Sequence, residues 1–292
     1  MITQDRRIRR RIRRARAVAA AVAAALAATA AAPGAAGAQG EPDFSQCPLA
    51  NPAVGSCFIA RITGGQFKIG NATVPVDRTI TLQGGVITDP ETGETEFVEA
   101  ANGQTLSRTP LVVPGGLLGL APPAWVPQPI RGVLQEAIDL FNEVTATAEL
   151  VGPVGFSFNN FANLEGPAIT LPLRVTLSNP FLGPSCRIGS RRQPIVLRLT
   201  AGTTSPPPPA RPITGNPGDV TFEHAGQLIR SRGFELVDNA FAAPAADGCG
   251  GLLFSWAIDP VVNLKEGLPA AAGANEARQI GEFALGDRRF AE

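Results

Sequence analysis

Four cysteines and one histidine are the residues from which most chemistry in this chain would have to be built. The cysteines, Cys47, Cys57, Cys186 and Cys249, show no C-x-x-C spacing and there is no second histidine, so a zinc site lacks its usual ligand pattern. A Ser-His-Asp triad would have to use His224, yet the chain contains no G-x-S-x-G elbow. His224 sits in "VTFEHAGQ", which reads as an exposed or core-edge histidine. Aspartic-protease triplets, H-E-x-x-H, Walker A and G-x-G-x-x-G are all missing from the sequence. "DPETGETE" gathers Asp89, Glu91, Glu94 and Glu96 without the order of a calcium loop, and reads as a solvated hairpin tip. Paired carboxylates for glycoside hydrolysis leave no local signature, so the sequence singles out no such pair. Asn71-Ala72-Thr73 is a formal glycosylation sequon. No catalytic residue, cofactor or metal site follows from the sequence.

The cysteines are better read as structural. Four in an exported chain suggest two disulfides, with three pairings possible. The expected pairing is the local Cys47–Cys57, which leaves Cys186–Cys249. Export itself is indicated by the N-terminus. Eight arginines lie between Arg6 and Arg16, Val18 to Ala32 carries no charge, and Ala36-Gly37-Ala38 follows. A positive region, an apolar stretch of about 7–15 residues and an A-x-A-like site form a secretion signal. The expectation is a signal peptide over residues 1–38 and one domain over 39–292. Fifteen alanine-rich residues are too short and too weakly apolar for a spanning helix, which needs about 20. The Arg-Arg pairs permit the twin-arginine route, although Arg9 and Arg13 interrupt the apolar residues expected after them; the route stays open.

Removing residues 1–38 takes away eight arginines and Asp5. The remainder has 17 basic and 24 acidic residues, a net charge of −7. Nucleic acid and anionic lipid both require a basic surface and are disfavoured as principal partners. No tyrosine and two tryptophans offer few aromatic platforms for glycans or single strands.

The elements that must position these residues are mostly strands. Phe58, Ala60 and Ile62 alternate with Ile59, Arg61 and Thr63 before Gly64-Gly65, and Phe67 and Ile69 alternate with Gln66 and Lys68, a hairpin pattern. "TITLQGGVIT" repeats it with Gly84-Gly85 as the expected turn. A turn over Pro90 to Gly93 and a short strand come next. "VVPGGLLGLAPPAWVPQP" reads as a packed loop. Ile130, Val133, Leu134, Ala137, Ile138 and Phe141 fall at helical spacing and predict an amphipathic helix. The clearest strand is 169–177, where Pro172 marks an edge or a bulge. Ile195, Leu197 and Leu199 form another. Residues near 203–218, with four consecutive prolines, read as an extended surface excursion within one domain. A short helix near Val261–Lys265 and a last strand through Ala277 to Leu285 complete the chain. The fold class is mainly β: an antiparallel β-sandwich or barrel with one short amphipathic helix and long Gly/Pro-rich loops.

"CPLANPAVGSC", "VPGGLLGL", "SCRIGS", "LTAGTTSPPPPARPITG", "LVDNAFAAPAADGCGG" and "GLPAAAGANEA" together resemble a family of exported actinobacterial proteins of uncharacterised activity. The resemblance covers the whole chain after the signal and implies a secreted or cell-wall-associated location. It brings no activity and no catalytic residues. The reading is an exported structural or binding protein, its partner an envelope component or a small apolar ligand. A glycan-directed extracellular hydrolase with unidentified carboxylates is the alternative. A carrier of lipid or another small apolar ligand would require a large apolar cavity between the sheets.

Overall fold

Alternation at a period of two sorts the inward residues onto two antiparallel sheets. The computed structural model describes residues 41–116, 127–128, 131–132 and 142–291. The signal expected over 1–38 and most of the helix expected over 130–141 lie outside the described residues, as does the middle of the loop expected between them. The residues from Pro42 onward form one compact unit.

The first sheet contains β1 (Ser56–Ile69), β2 (Ala72–Pro75), β3 (Ile80–Thr88), β4 (Thr95–Glu99), β11 (Asp219–Glu223), β12 (Leu228–Asp238) and β14 (Glu276–Asp287). Its order is β11-β12-β14-β1-β3-β4, with β2 beside β1. The second sheet contains β5 (Pro110–Val113), β6 (Val144–Leu150), β7 (Gly155–Phe156), β8 (Ile169–Ser178), β9 (Arg187–Ile188), β10 (Ile195–Leu199) and β13 (Ala246–Asp247). Its path is β13-β9-β8-β6-β5, with β10 and β7 also on β8. Every pairing among these strands is antiparallel. The sheets form a sandwich and no closed barrel. Two α-helices lie wholly within the described residues, α1 (Phe158–Asn163) and α2 (Gly251–Glu266).

One end of the sandwich is filled by aromatic rings. Phe58 of β1 meets Phe97, Phe156 and Phe283 at centroid distances of 5.8, 4.9 and 5.8 Å. Phe283 in turn contacts Phe161 of α1 at 5.0 Å and Phe234 at 6.0 Å. Spacings of 4.5–7 Å suit tilted and edge-on rings. The other face of β1 is covered as well. Phe44, Cys47 and Val54 bury Cys57 and Ile59 in a second cluster, where Cys47 and Cys57 are bonded. That explains why β1 is buried on successive rather than alternate residues. Cys186 and Cys249 form the other disulfide.

Both glycine pairs expected to turn the chain lie inside strands. β1 runs straight through Gly64-Gly65, and β3 runs through Gly84-Gly85. The physical reason is close approach. A Cβ on Gly65, held at φ +100°, would sit 2.1 Å from the Arg278 carbonyl oxygen. One on Gly84 would meet the Val98 oxygen at 2.3 Å and the Phe97 ring at 2.6 Å. The register of β1 against β14 shifts between Ile62 and Gly64, and that of β12 against β14 between Arg232 and Phe234. Two bulges thus flank one short stretch of β14 around Gly281 and bend the sheet there.

Pro172 also needs a correction. β8 is an interior strand, not an edge: β10 pairs Ile169–Leu173 on one side, and β7 and β6 follow one another on the other. Pro172 falls where that neighbour is interrupted, between Leu150 and Gly155, and its carbonyl accepts the Val151 N–H at 3.0 Å. The donor that proline lacks would have pointed at the same gap. The Pro-rich segment is not one extended run: it turns at Pro208-Pro209, with the Ala210 N–H donated to Pro207 at 3.2 Å. Its base is closed by the Thr204 N–H on the Ile213 carbonyl, 2.9 Å. The strands 195–199 and 277–285 lie where alternation put them, the second running over Glu276–Asp287.

A Cβ at Gly281 would lie 2.1 Å from the Arg61 carbonyl oxygen, whereas one at Gly55 meets nothing within 4 Å. Gly281→Ala is expected to cost about 2–3 kcal/mol through overpacking. Thermal unfolding should therefore fall by about 5–10 °C, with Gly55→Ala within about 2 °C of the parent.

Candidate functional site

The end of the sandwich away from the phenylalanine cluster is hollow. Where β6 reads "VTATAEL", its inward residues include Ala146 and Ala148, and Ala72 of β2 is equally small. Strands held at sheet-to-sheet distance by longer neighbours cannot close over side chains that stop at Cβ. The result is a cavity of about 110 Å³. Its first wall is built on β1, β2 and β3 by Phe67, Ile69, Val74 and Ile80. Opposite stand Leu173, Val175 and Leu177 of β8, with Ile195 and Leu197 of β10. One water needs about 10–15 Å³ on the same measure, so the space exceeds a packing defect severalfold. Among the described lining residues only Ser107, Thr109, Lys265 and Glu266 are polar.

A second cavity of about 30 Å³ adjoins the first, sharing Phe67, Ile80, Ala148 and Leu173. Gln279 of β14 faces into it from the inward side of the sheet and is 6% exposed.

α2 closes the hollow end, where Val261, Val262, Lys265 and Glu266 join the lining. Its orientation is set by polar groups turned inward. The Asp259 carboxylate accepts the Cys249 N–H at 2.7 Å and the Gly248 N–H at 3.3 Å. Asn263 accepts from the Ala246 N–H at 2.7 Å and donates back to the Ala246 carbonyl at 3.0 Å. Cys249, bonded to Cys186, stands just before the N-cap Gly250 of the helix. At the other end, Asn71 donates its side-chain N–H to the Lys265 carbonyl at 2.9 Å and its backbone N–H to Glu266 at 2.8 Å. Lys265 pairs with Glu266 at 3.1 Å and also donates to the Gly116 carbonyl.

The residues with chemical potential are scattered. His224 is exposed in the turn between β11 and β12, its ring 5.1 Å from Phe290. Asp89 lies exposed at the β3–β4 hairpin tip. The N–H groups of Thr92 and Glu91, at 3.1 and 2.7 Å, hold its carboxyl below the usual range. Cys47–Cys57 lies on the outer face of the first sheet, whereas Cys186–Cys249 anchors α2. The Asn71 amide that a glycan would occupy is committed to the helix end. Asp238, whose carboxyl burial pushes up, accepts the Arg198 and Ala240 N–H groups at 2.6 and 2.8 Å and lines neither cavity. The described lining of the larger cavity contains one carboxylate, Glu266, not the facing pair that glycoside hydrolysis requires. Sequence reading predicted the helix only near Val261–Lys265; it begins ten residues earlier, at Gly251.

No protein-family model, curated protein or solved structure matches this chain. Among the described residues no helix is long and apolar enough to cross a membrane, and no group of acidic, histidine and cysteine side chains is placed to hold a metal ion.

Asn263→Ala removes both halves of the exchange with Ala246. The expected loss is about 1–3 kcal/mol. In hydrogen exchange, amides of 251–266 should lose protection while those of β1 and β14 keep theirs.

Proposed function

We propose that this chain is an exported, disulfide-bonded carrier that holds a small apolar molecule between its two sheets. The observation that carries the reading is the aliphatic cavity of about 110 Å³ built on Ala146 and Ala148. Binding pockets for small molecules are concave, mostly apolar and furnished with a few placed polar groups, and this space has that composition. Gln279 specifies the ligand further. A carboxamide in the wall of the smaller adjoining cavity suits a molecule with one hydroxyl or carbonyl at its buried end. Export is supported by the arginine-then-alanine N-terminus and by two disulfides, which persist in oxidising compartments. A secreted or wall-associated location agrees with the resemblance to exported actinobacterial proteins.

The test is titration of the oxidised protein with N-phenyl-naphthylamine, whose emission rises in apolar surroundings. Saturable uptake is expected, and Ala146→Phe should abolish it while leaving the melting temperature equal or higher. A folded protein that shows no saturable uptake contradicts the reading. Competition by decanol and decane separates the polar contribution. Gln279→Leu should weaken decanol about five- to tenfold and leave decane within twofold.

A further inference from the structure

α2 is amphipathic in the reverse sense for a surface helix. Its polar residues Asp259 and Asn263 face the protein together with Ile258 and Val262, and its other large apolar ones face out. Leu252 is 102% exposed, Trp256 80%, Leu253 76% and Leu264 84%. Phe254 and Val261 are exposed too; at 100° per residue Trp256, Leu253, Leu264, Val261 and Phe254 form a broad strip of about 160°, with Leu252 beyond its edge. The exposed side from Leu252 to Leu264 carries no charged side chain. The Trp256 indole N–H is already donated to the Leu253 carbonyl at 3.2 Å.

We infer that this face docks α2 flat on a neutral or zwitterionic lipid surface. Three observations select that occupant. A protein partner would bring about one hydrogen bond per 100–200 Å² and a polar rim, and the strip offers no group to receive them. Hydrocarbon asks for none. The strip has no lysine or arginine, Lys265 is paired with Glu266, and the chain after residue 38 is net −7, so attraction to anionic headgroups plays no part. Finally, the strip is continuous with the cavity: Val261 is 54% exposed on the outer face and also lines the interior. An apolar molecule leaving the lipid at α2 meets the cavity wall without crossing water. At 16 residues, or about 24 Å, the helix lies along the surface rather than through it. The polar seam beneath it keeps the strip turned outward instead of collapsing onto the sheets.

The inference rests on the carrier reading for its purpose but is tested separately. Residues 39–292, which include the compact unit beginning at Pro42, are mixed with phosphatidylcholine vesicles and pelleted. Partitioning is expected, with little change between low and high salt. In a Trp125→Phe background Trp256 is the sole tryptophan, and its emission should shift to the blue on vesicle addition. Leu253→Asp with Trp256→Asp should cut partitioning about a hundredfold or more, since burial of each large apolar side chain supplies about tenfold. That double variant should still take up naphthylamine in vesicle-free solution, and Ala146→Phe should still partition. A folded wild-type protein that stays in the supernatant overturns the inference. So does a dimer in sedimentation equilibrium that the double variant dissociates, because the strip would then belong to a second copy.

Discussion

The exchange of hydrogen bonds between α2 and residues 246–249 is the contact on which the rest of the arrangement depends. Asp259 and Asn263 spend their polar capacity on backbone groups of β13 and of the residues after it, and Cys186–Cys249 ties that segment to β9. With the polar side so committed, Val262 must face the interior and Leu252, Leu253 and Trp256 must face away. At the far end Asn71 holds the Lys265 and Glu266 carbonyls. A helix fixed at both ends against a hollow stretch of sandwich leaves that hollow intact. An unanchored apolar helix would fill it.

The hollow is a matter of side-chain size distributed along the sheets. At one end phenylalanines from both sides of the sandwich interlock around Phe58 and Phe283. At the other, aliphatic side chains and the short Ala72, Ala146 and Ala148 leave space that Phe67 and Phe241 do not fill. The solid end supplies cohesion, and the bulges near Gly281 set the bend of the first sheet. Unlined space costs dispersion contacts on every wall, which a bound molecule restores.

Much of the sandwich was legible in the sequence because alternation is a local signal. Ile169 to Leu177, Ile195 to Leu199 and Ala277 to Leu285 are strands where the pattern placed them. The errors arose where a local signal has two physical meanings. Gly-Gly marks a tight turn or a place where another backbone or ring comes close, and only the partner strand decides. β12 was hidden because the bulge after Arg232 shifts its inward face by one residue midway. α2 was only partly visible because "LLFSWAIDPVVNL" places its polar residues on the buried side and carries Pro260 within it. The cavity had no local signal beyond "TATA" in β6. It exists only as the difference between what two sheets enclose and what residues far apart in sequence fill.

Methyl resonances give the most direct test of where a guest sits. With isoleucine, leucine and valine methyls labelled, titration with decanol is predicted to shift Val175, Ile188 and Leu197, which line the larger cavity. Leu252, Leu253 and Leu264 on the outer side of α2 should stay in place. Shifts confined to those three leucines, or no shifts at all in the folded protein, would contradict a carrier built around the space between the sheets.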